Sequence, residues 1–467
     1  MSRTLPSPTR HGRAAIIGAS IAGLLAARIL AEHFDEVVLL ERDPLPEGAA
    51  PRKGTPQAVQ PHGLLARGRQ VLDGLFPGFS EALVAQGALY GDAGGEVAVD
   101  ANGQRLARAT LGVDALACSR LAIEAEIRRR VRALPNVRVL DGVDVIAPVH
   151  EDARVTGVRW QRRDADCLAG AEPQTLAAAL VVDCSGRASR SPAWLREWGY
   201  AAPAEERVQV GIAYTSAYFR RAPGQPPLAC VIGAATPALP RPSILIAQEP
   251  DAQGRERWVA GVGGYTGDHV ATTREAMAER ARQINHPEIA ALAEHAELIG
   301  EPMRYGFPHS QRRRYERLRR FPAGYLVMGD ALASFNPIYG QGMTVAACEA
   351  LALRDALAHG PDSHQGLARR FFKAAARVVD APWQIAVGGD LALPVVPGPR
   401  PFPIKLVNAY LGRLQRAAVH DPVLAGAFLK VVQMLAPPKS LMAPRLMWRV
   451  WRGRHRPGAA VAQTAAA

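Results

Sequence analysis

No apolar run in the 467 residues approaches the ~20 needed to cross a bilayer, so the chain reads as soluble or at most peripheral. Cysteine is scarce. Cys118, Cys167, Cys184, Cys230 and Cys348 lie far apart with no Cys-x-x-Cys pair. That excludes a disulfide framework and a structural zinc site, no metal is expected, and the pattern fits a reducing cytoplasm. Lysine is nearly missing: five residues supply it, and arginine makes up the rest of the 56 cations. The formal charge is +13, yet aromatics are not interleaved with the basic runs and no nucleic-acid recognition motif occurs. No nucleic-acid partner is therefore expected; an anionic ligand and an anionic membrane surface account for the charge better. There is no internal repeat and no long low-complexity linker. Thirteen polar or basic residues precede the first apolar stretch, but no small-residue cleavage site follows, so a signal peptide is not expected.

Two segments more than three hundred residues apart carry the chemistry. In the first, Ala14–Ile17 has the composition of a buried parallel strand. Gly18 opens a tight turn, Ser20 stands where a second glycine is usual, and Gly23 lets a helix pack on the strand. A second apolar strand, Val37–Leu40, ends at Glu41, whose carboxylate suits a ribose diol; Arg42 follows, within reach of an adenine or a phosphate. The spacing thus predicts a dinucleotide on a helix N-terminus. The second segment runs Gly329-Asp330, then Phe335-Asn-Pro337-Ile-Tyr339-Gly340-Gln341-Gly342-Met343-Thr344. It reads as a second helix start at which a redox ring can rest. Together the two describe FAD in a glutathione-reductase-type fold.

Between and beyond them the pattern changes. A Pro/Gly-rich loop over 44–63 carries Arg52, Lys53 and His62, and 64–87 reads as helical. Short β-like pieces follow, then a helix from Arg120 and strands at Val137–Asp141, Val155–Trp160 and Leu180–Asp183. Residues 205–310 alternate as strands, including Val208–Arg220, Leu228–Ile232 and a hairpin over Ser243–Tyr265. The last hundred residues look helical with proline breaks. The expected fold class is α/β: a Rossmann-like FAD-binding domain, an inserted β-sheet substrate domain and a helical C-terminal region. The expected division is 10–87, 111–190 and 321–361 for the cofactor, 88–110 and 191–320 for the substrate sheet, and 362–467 for the helices.

Three motifs resemble those of the single-component FAD-dependent monooxygenases, the group of aromatic hydroxylases and squalene epoxidase. Gly18-Ala-Ser-Ile-Ala-Gly23 is similar to the ADP-binding turn, with Ser20 a departure. Asp183-Cys-Ser-Gly186-Arg-Ala-Ser-Arg190 is similar to the middle motif, which touches FAD and the pyridine-nucleotide path. Gly329-Asp330 with Pro337–Thr344 is similar to the ribityl-binding motif and the helix beneath the flavin. The resemblance spans roughly residues 10–360 and is nearest to bacterial epoxidases and hydroxylases of polyketide and terpenoid pathways. It implies an NAD(P)H- and O2-using enzyme that transfers oxygen to a lipophilic small molecule through a flavin C4a-hydroperoxide. It further implies that Arg120 reaches the FAD linker.

On that reading Asp330 accepts from a ribityl hydroxyl. Helix N–H groups from Gly340 to Met343 stabilise negative charge on the reduced ring. Pro337 walls the oxygen-reacting face, and His62 or Tyr339 is the candidate base if a phenol is hydroxylated. No second Rossmann unit occurs, since Gly261–Gly264 lacks a following helix, so NAD(P)H is expected to bind transiently. Two rivals remain: a flavin reductase of isoprenoid double bonds, suggested by Tyr305-Gly-Phe-Pro308, and a non-enzymatic prenyl-binding escort. A halogenase is disfavoured because no Trp-x-Trp-x-Ile-Pro segment occurs. The expected location is cytoplasmic, with Arg445–Arg456 offering a basic, tryptophan-bearing helix for weak peripheral contact with the inner membrane face.

Overall fold

The computed structural model describes residues 12–163, 172–222, 229–358 and 366–453. Cys167, Leu228 and Arg454–Arg456 lie outside them, as do the ends of the first and third cofactor stretches. The apolar runs become a five-stranded sheet in the order Tyr325–Val327, Leu180–Asp183, Arg13–Ile17, Glu36–Leu40, Val137–Leu140, with every pairing parallel. Ile17 lies beside both Leu40 and Asp183, and Asp183 beside Val327. The residues that follow them, Gly18, Glu41, Cys184 and Met328, therefore leave the sheet at one carboxyl edge, where ligands of open α/β sheets bind.

An eight-stranded sheet stands apart. Its order is Ala333–Ser334, Leu298–Arg313, Glu205–Arg220, Arg257–Gly264, Ser243–Gln248, Cys230–Gly233, Val97–Ala101, Gln104–Arg105. Val97–Ala101 pairs in parallel with Cys230–Gly233, so the early β pieces join the later ones, and Gly261–Gly264 lies inside a strand. Two features depart from the sequence reading. Helices Arg274–Gln283 and Pro287–His295 cover one face of the sheet, where Met277, Ala281, Ile289 and Leu292 pack on Leu245, Ala260 and Val262. Their start signals were present in Thr273, which accepts from Ala276 N at 3.2 Å, and in Pro287 at the first turn. The helical stretch 64–87 is two helices, Ala66–Leu75 and Phe79–Ala85, parted at Pro77-Gly78.

The C-terminal region is helical as expected: Leu367–Ala392, Phe402–Ala418, Pro422–Val432 and Pro444–Gly453. The first packs Phe371, Ala375, Val379 and Trp383 into the core of the cofactor domain. The other three share their own small core, in which Leu414, Ala418, Leu424, Leu446 and Val450 meet Ala101 and Leu106 of the inserted sheet. Among the described residues no helix is long and apolar enough to cross a membrane.

Candidate active site

One cleft of about 1190 Å³ runs from the carboxyl edge of the parallel sheet, across the inserted sheet, to the C-terminal helices. Gly18, Ser20, Glu41, Arg42, Arg120, Asp330, Gly340, Gln341, Gly342 and Met343 all line it, as do His62, Pro337 and Tyr339. Of the residues expected at the site, Gly23 and Asp183 do not.

At the sheet end the backbone dictates the glycines. Gly18 has φ +95°, and a Cβ there would stand 2.7 Å from the Cys184 carbonyl oxygen. A Cβ on Gly23 would meet the Gly18 carbonyl oxygen at 1.9 Å. Both glycines are therefore required by the packing of turn, helix and neighbouring strand.

Ser20 is more than a small residue. Its hydroxyl donates to Glu124 Oε2 at 2.9 Å and accepts from Arg120 Nη2 at 3.0 Å. Glu124 also takes Arg52 Nη2 at 2.9 Å, and Arg52 reaches Glu41 at 3.3 Å and Asp43 at 3.4 Å. Burial pushes the Glu124 carboxyl up, and Arg120 and Arg52 more than reverse it, leaving its pKa lowered. Arg52 is thus no solvated loop residue and no free phosphate ligand: its side chain is only 6% exposed and is spent on three carboxylates. Glu41 accepts Ala19 N at 2.7 Å and Asp43 N at 3.1 Å, fixing the turn that it faces. Glu124 was legible only as the acid four residues after Arg120, on the same helix face.

Asp183 is fully buried. It accepts from Ser185 N at 2.8 Å, Ser189 Oγ at 2.6 Å and the Ser191 hydroxyl. Its assignment as a cofactor ligand is corrected: it holds the middle motif's turn in shape, and that turn presents Ser185, Gly186 and Arg187 to the cleft. The Arg187 guanidinium donates to Ser334 Oγ and the His309 carbonyl, both at 2.9 Å, and lies 4.2 Å from the Phe307 ring centre.

Asp330 opens into the cleft with no hydrogen-bond partner among the described residues. Protein surrounds that opening, and the lost hydration raises its pKa against the pull of Arg120 and Arg187. Behind it Glu349, fully buried, accepts Gly329 N at 2.7 Å; burial pushes its carboxyl up to about 8. The loop then turns through Pro337–Tyr339 and Gly340, at φ +64°, into helix Gly342–Leu357. Gln341 Oε1 is buried and unpartnered, and a Cβ on Gly342 would meet nothing within 4 Å. An unpaired carboxylate, an orphaned amide oxygen and open room before a helix N-terminus fit the polar linker and flat ring of FAD. Asp330 would hold the linker, and the Gly340–Met343 segment the ring.

Neither candidate base is poised near neutral pH. Burial and the nearby Arg120 charge lower His62 to about 4, and its Nδ1 lies 2.8 Å from the Gln60 carbonyl oxygen. As an N–H donor there, it leaves Nε2 as a weak acceptor. Tyr339 donates to Asp390 Oδ1 at 3.1 Å, and burial and that carboxylate raise its pKa well above 10. Its candidacy as a base is withdrawn. The same Asp390 oxygen accepts from Tyr265 at 3.0 Å and Asn336 Nδ2 at 2.8 Å, while Oδ2 has no partner. Burial lifts Asp390 to about 6. The cluster ties helix Leu367–Ala392 to the flavin-side loop. The sequence hinted at it in Gly388-Gly389, since a Cβ on Gly389 would stand 2.3 Å from the Tyr339 hydroxyl.

Against this geometry the comparisons are consistent. The family described as "FAD binding domain" matches residues 12–366. Protein Rv3254 of Mycobacterium tuberculosis is 35% identical over 448 residues, covering 93% of this chain and 92% of its own. Among solved structures, the flavin-dependent brominase Bmp2 superposes with TM-score 0.63 at 16% identity, covering 90% of this chain and 92% of its own. PqsL, a probable FAD-dependent monooxygenase from Pseudomonas aeruginosa, does so with TM-score 0.57 at 18% identity, over 82% of this chain and 98% of its own. The tetrameric 2-methyl-3-hydroxypyridine-5-carboxylic acid oxygenase gives 0.56 at 18% identity, over 82% and 91%. At such identities these likenesses carry the fold. The chain belongs to the FAD binding domain family.

Proposed function

We propose that this flavoenzyme uses NAD(P)H and O2 to insert one oxygen atom into a lipophilic small molecule, by epoxidation or hydroxylation. The observation that carries the reading is the apolar chamber continuous with the Pro337–Met343 segment. Tyr214, Ile232, Ile244, Ile246, Phe307 and Leu391 wall it. Among the apolar positions of the inserted sheet, Tyr214, Ile244 and Ile246 line this chamber, whereas Val210 and Ile212 are core residues packed with Tyr265 and Val396.

FAD, when bound, supplies the two-electron reduction by NAD(P)H and the activation of O2. This chain's residues shape the surroundings. Asp330 and Arg120 would hold the cofactor's polar linker, and the helix start at Gly342 would lower the cost of negative charge on the ring. Leu391, Leu393 and helix Phe402–Ala418 cover the chamber and keep water from the reacting centre. With His62 depressed and Tyr339 raised, the site favours a reaction that needs no protein base, and epoxidation is such a reaction.

Incubation with NADPH, isotopically labelled dioxygen and a panel of terpenoid and polyketide alkenes, read by mass spectrometry, tests the proposal. One labelled oxygen atom per product molecule is expected. Tyr305 and Phe307 also face the chamber, which keeps the isoprenoid-reductase reading in view. A saturated double bond without label would establish that reading instead.

A further inference from the structure

Residues 391–453 contain nine Lys and Arg and one acidic residue, Asp421. Asp421 is already engaged: it caps helix Pro422–Val432 and takes Arg449 Nη1 at 2.9 Å. Three of the chain's five lysines, Lys405, Lys430 and Lys439, fall here, and all three are exposed. The same three-helix unit carries most of the large apolar side chains exposed among the described residues. Phe402 is 76% exposed and Leu406 58%, one turn apart on helix Phe402–Ala418. Trp448 and Trp451 are 53% and 56% exposed on helix Pro444–Gly453.

Leu446 and Val450 are buried against Leu414 and Ala418, which anchors the last helix to the body. Met447 and Trp451 are exposed together with Trp448, and Arg452 lies 4.5 Å from the Trp448 ring centre. The helix is therefore docked by one narrow stripe and still presents tryptophan and arginine to solvent. Helix Phe402–Ala418 is held more loosely: only Leu414 and Ala418 are buried. Its Ile404, Lys405, Asn408 and Leu411 line the cleft, whereas Phe402 and Leu406 do not and are exposed.

We propose that this three-helix unit docks on an anionic phospholipid bilayer, with Phe402, Leu406, Trp448 and Trp451 entering the interface and the surrounding lysines and arginines meeting lipid phosphates. Exposed tryptophan, phenylalanine and leucine on a segment with nine cations and one acid match that partner in both apolar and charge terms. The positive field disfavours a second copy of this chain on the same face, because like charges would be brought together. Docking would set the cleft-covering helix at the bilayer, the phase in which lipophilic molecules concentrate.

The test uses the full-length holoenzyme and no substrate, so failure of docking is separable from failure of the proposed reaction. Protein is floated with vesicles of phosphatidylglycerol and phosphatidylcholine, or of phosphatidylcholine alone, and tryptophan emission is recorded. Flotation with the anionic vesicles is expected, weakening as salt rises, with a blue-shifted emission. Phe402→Ser with Leu406→Ser, and separately Trp448→Ser with Trp451→Ser, should each weaken binding by about tenfold or more while flavin absorbance is kept. Three results would overturn the proposal: no flotation of the parent at low salt, equal flotation of parent and variants, or a parent dimer in lipid-free sedimentation that these substitutions dissociate.

Discussion

The two ends of the cleft are built on opposite plans. At the sheet end, charged side chains satisfy one another: Arg52 joins Glu41, Asp43 and Glu124, and Arg120 joins Ser20 and Glu124. They fix a backbone whose glycines leave no room for substitution. At the far end the wall is apolar and its polar groups are few, with Asp390 gathering Tyr265, Asn336 and Tyr339 around one oxygen. The first plan specifies shape and tolerates little change. The second supplies volume and allows the wall to vary with the molecule it takes. Chemistry common to a family belongs at the rigid end, and specificity belongs at the other.

The comparison breaks most readily at Gly23. Gly23→Val drives a branched side chain into the Gly18 carbonyl, and backbone cannot yield as a flexible side chain would. Loss of the folded protein is expected, read as absence of a cooperative melt and of bound flavin in the soluble fraction. A stable, yellow variant would show that the turn is more plastic than its contacts allow.

Glu124→Ala ranks next. It strands Arg52 and Arg120 without their shared carboxylate, and breaking such a buried pair costs roughly 3–5 kcal/mol. A much lower unfolding midpoint is expected by chemical denaturation. A change under about 1 kcal/mol would mean that the arginines find water or Glu41 instead.

Glu349 sharpens the contrast through pH. Its folded pKa, about 8, lies above the ordinary 4.5, so the native state holds the proton more tightly than the unfolded chain. The stability this gives is complete below about pH 4.5 and is lost as pH rises through 8. Glu349→Gln, which stays neutral, should match the parent near pH 5 only after allowance for its lost acid, and gain on it steadily toward pH 8.5. Parallel stability profiles for the two proteins would place the ionised carboxylate comfortably in the native state.

How far the sequence disclosed this follows from the same division. Strand, turn, helix and terminal acid are local patterns, so Gly18, Glu41, Asp330 and the Pro337–Met343 segment were legible, and all of them meet at one cleft, with Gly23 packed behind the turn. Asp183 was placed in the right motif and given the wrong task, because a sequence does not tell whether a carboxylate turns outward to a ligand or inward to three seryl groups. Asp390 stayed hidden since its partners Tyr265 and Asn336 are 125 and 54 residues away. The C-terminal helices had amphipathic patterns without motif, and their inner faces gain meaning only once the inserted sheet is opposite them.

The most direct test of the central claim is the affinity of the apoprotein for FAD, followed by flavin fluorescence, in the parent and in Asp330→Ala. Asp330 is a cleft carboxylate with no hydrogen-bond partner among the described residues, and as the linker's acceptor it should contribute about 1–3 kcal/mol. The parent is expected to bind FAD tightly and release it unmodified on denaturation, and the variant to bind roughly ten- to a hundredfold more weakly. Equal affinity in the two proteins, or a parent that takes up no FAD, would contradict the assignment.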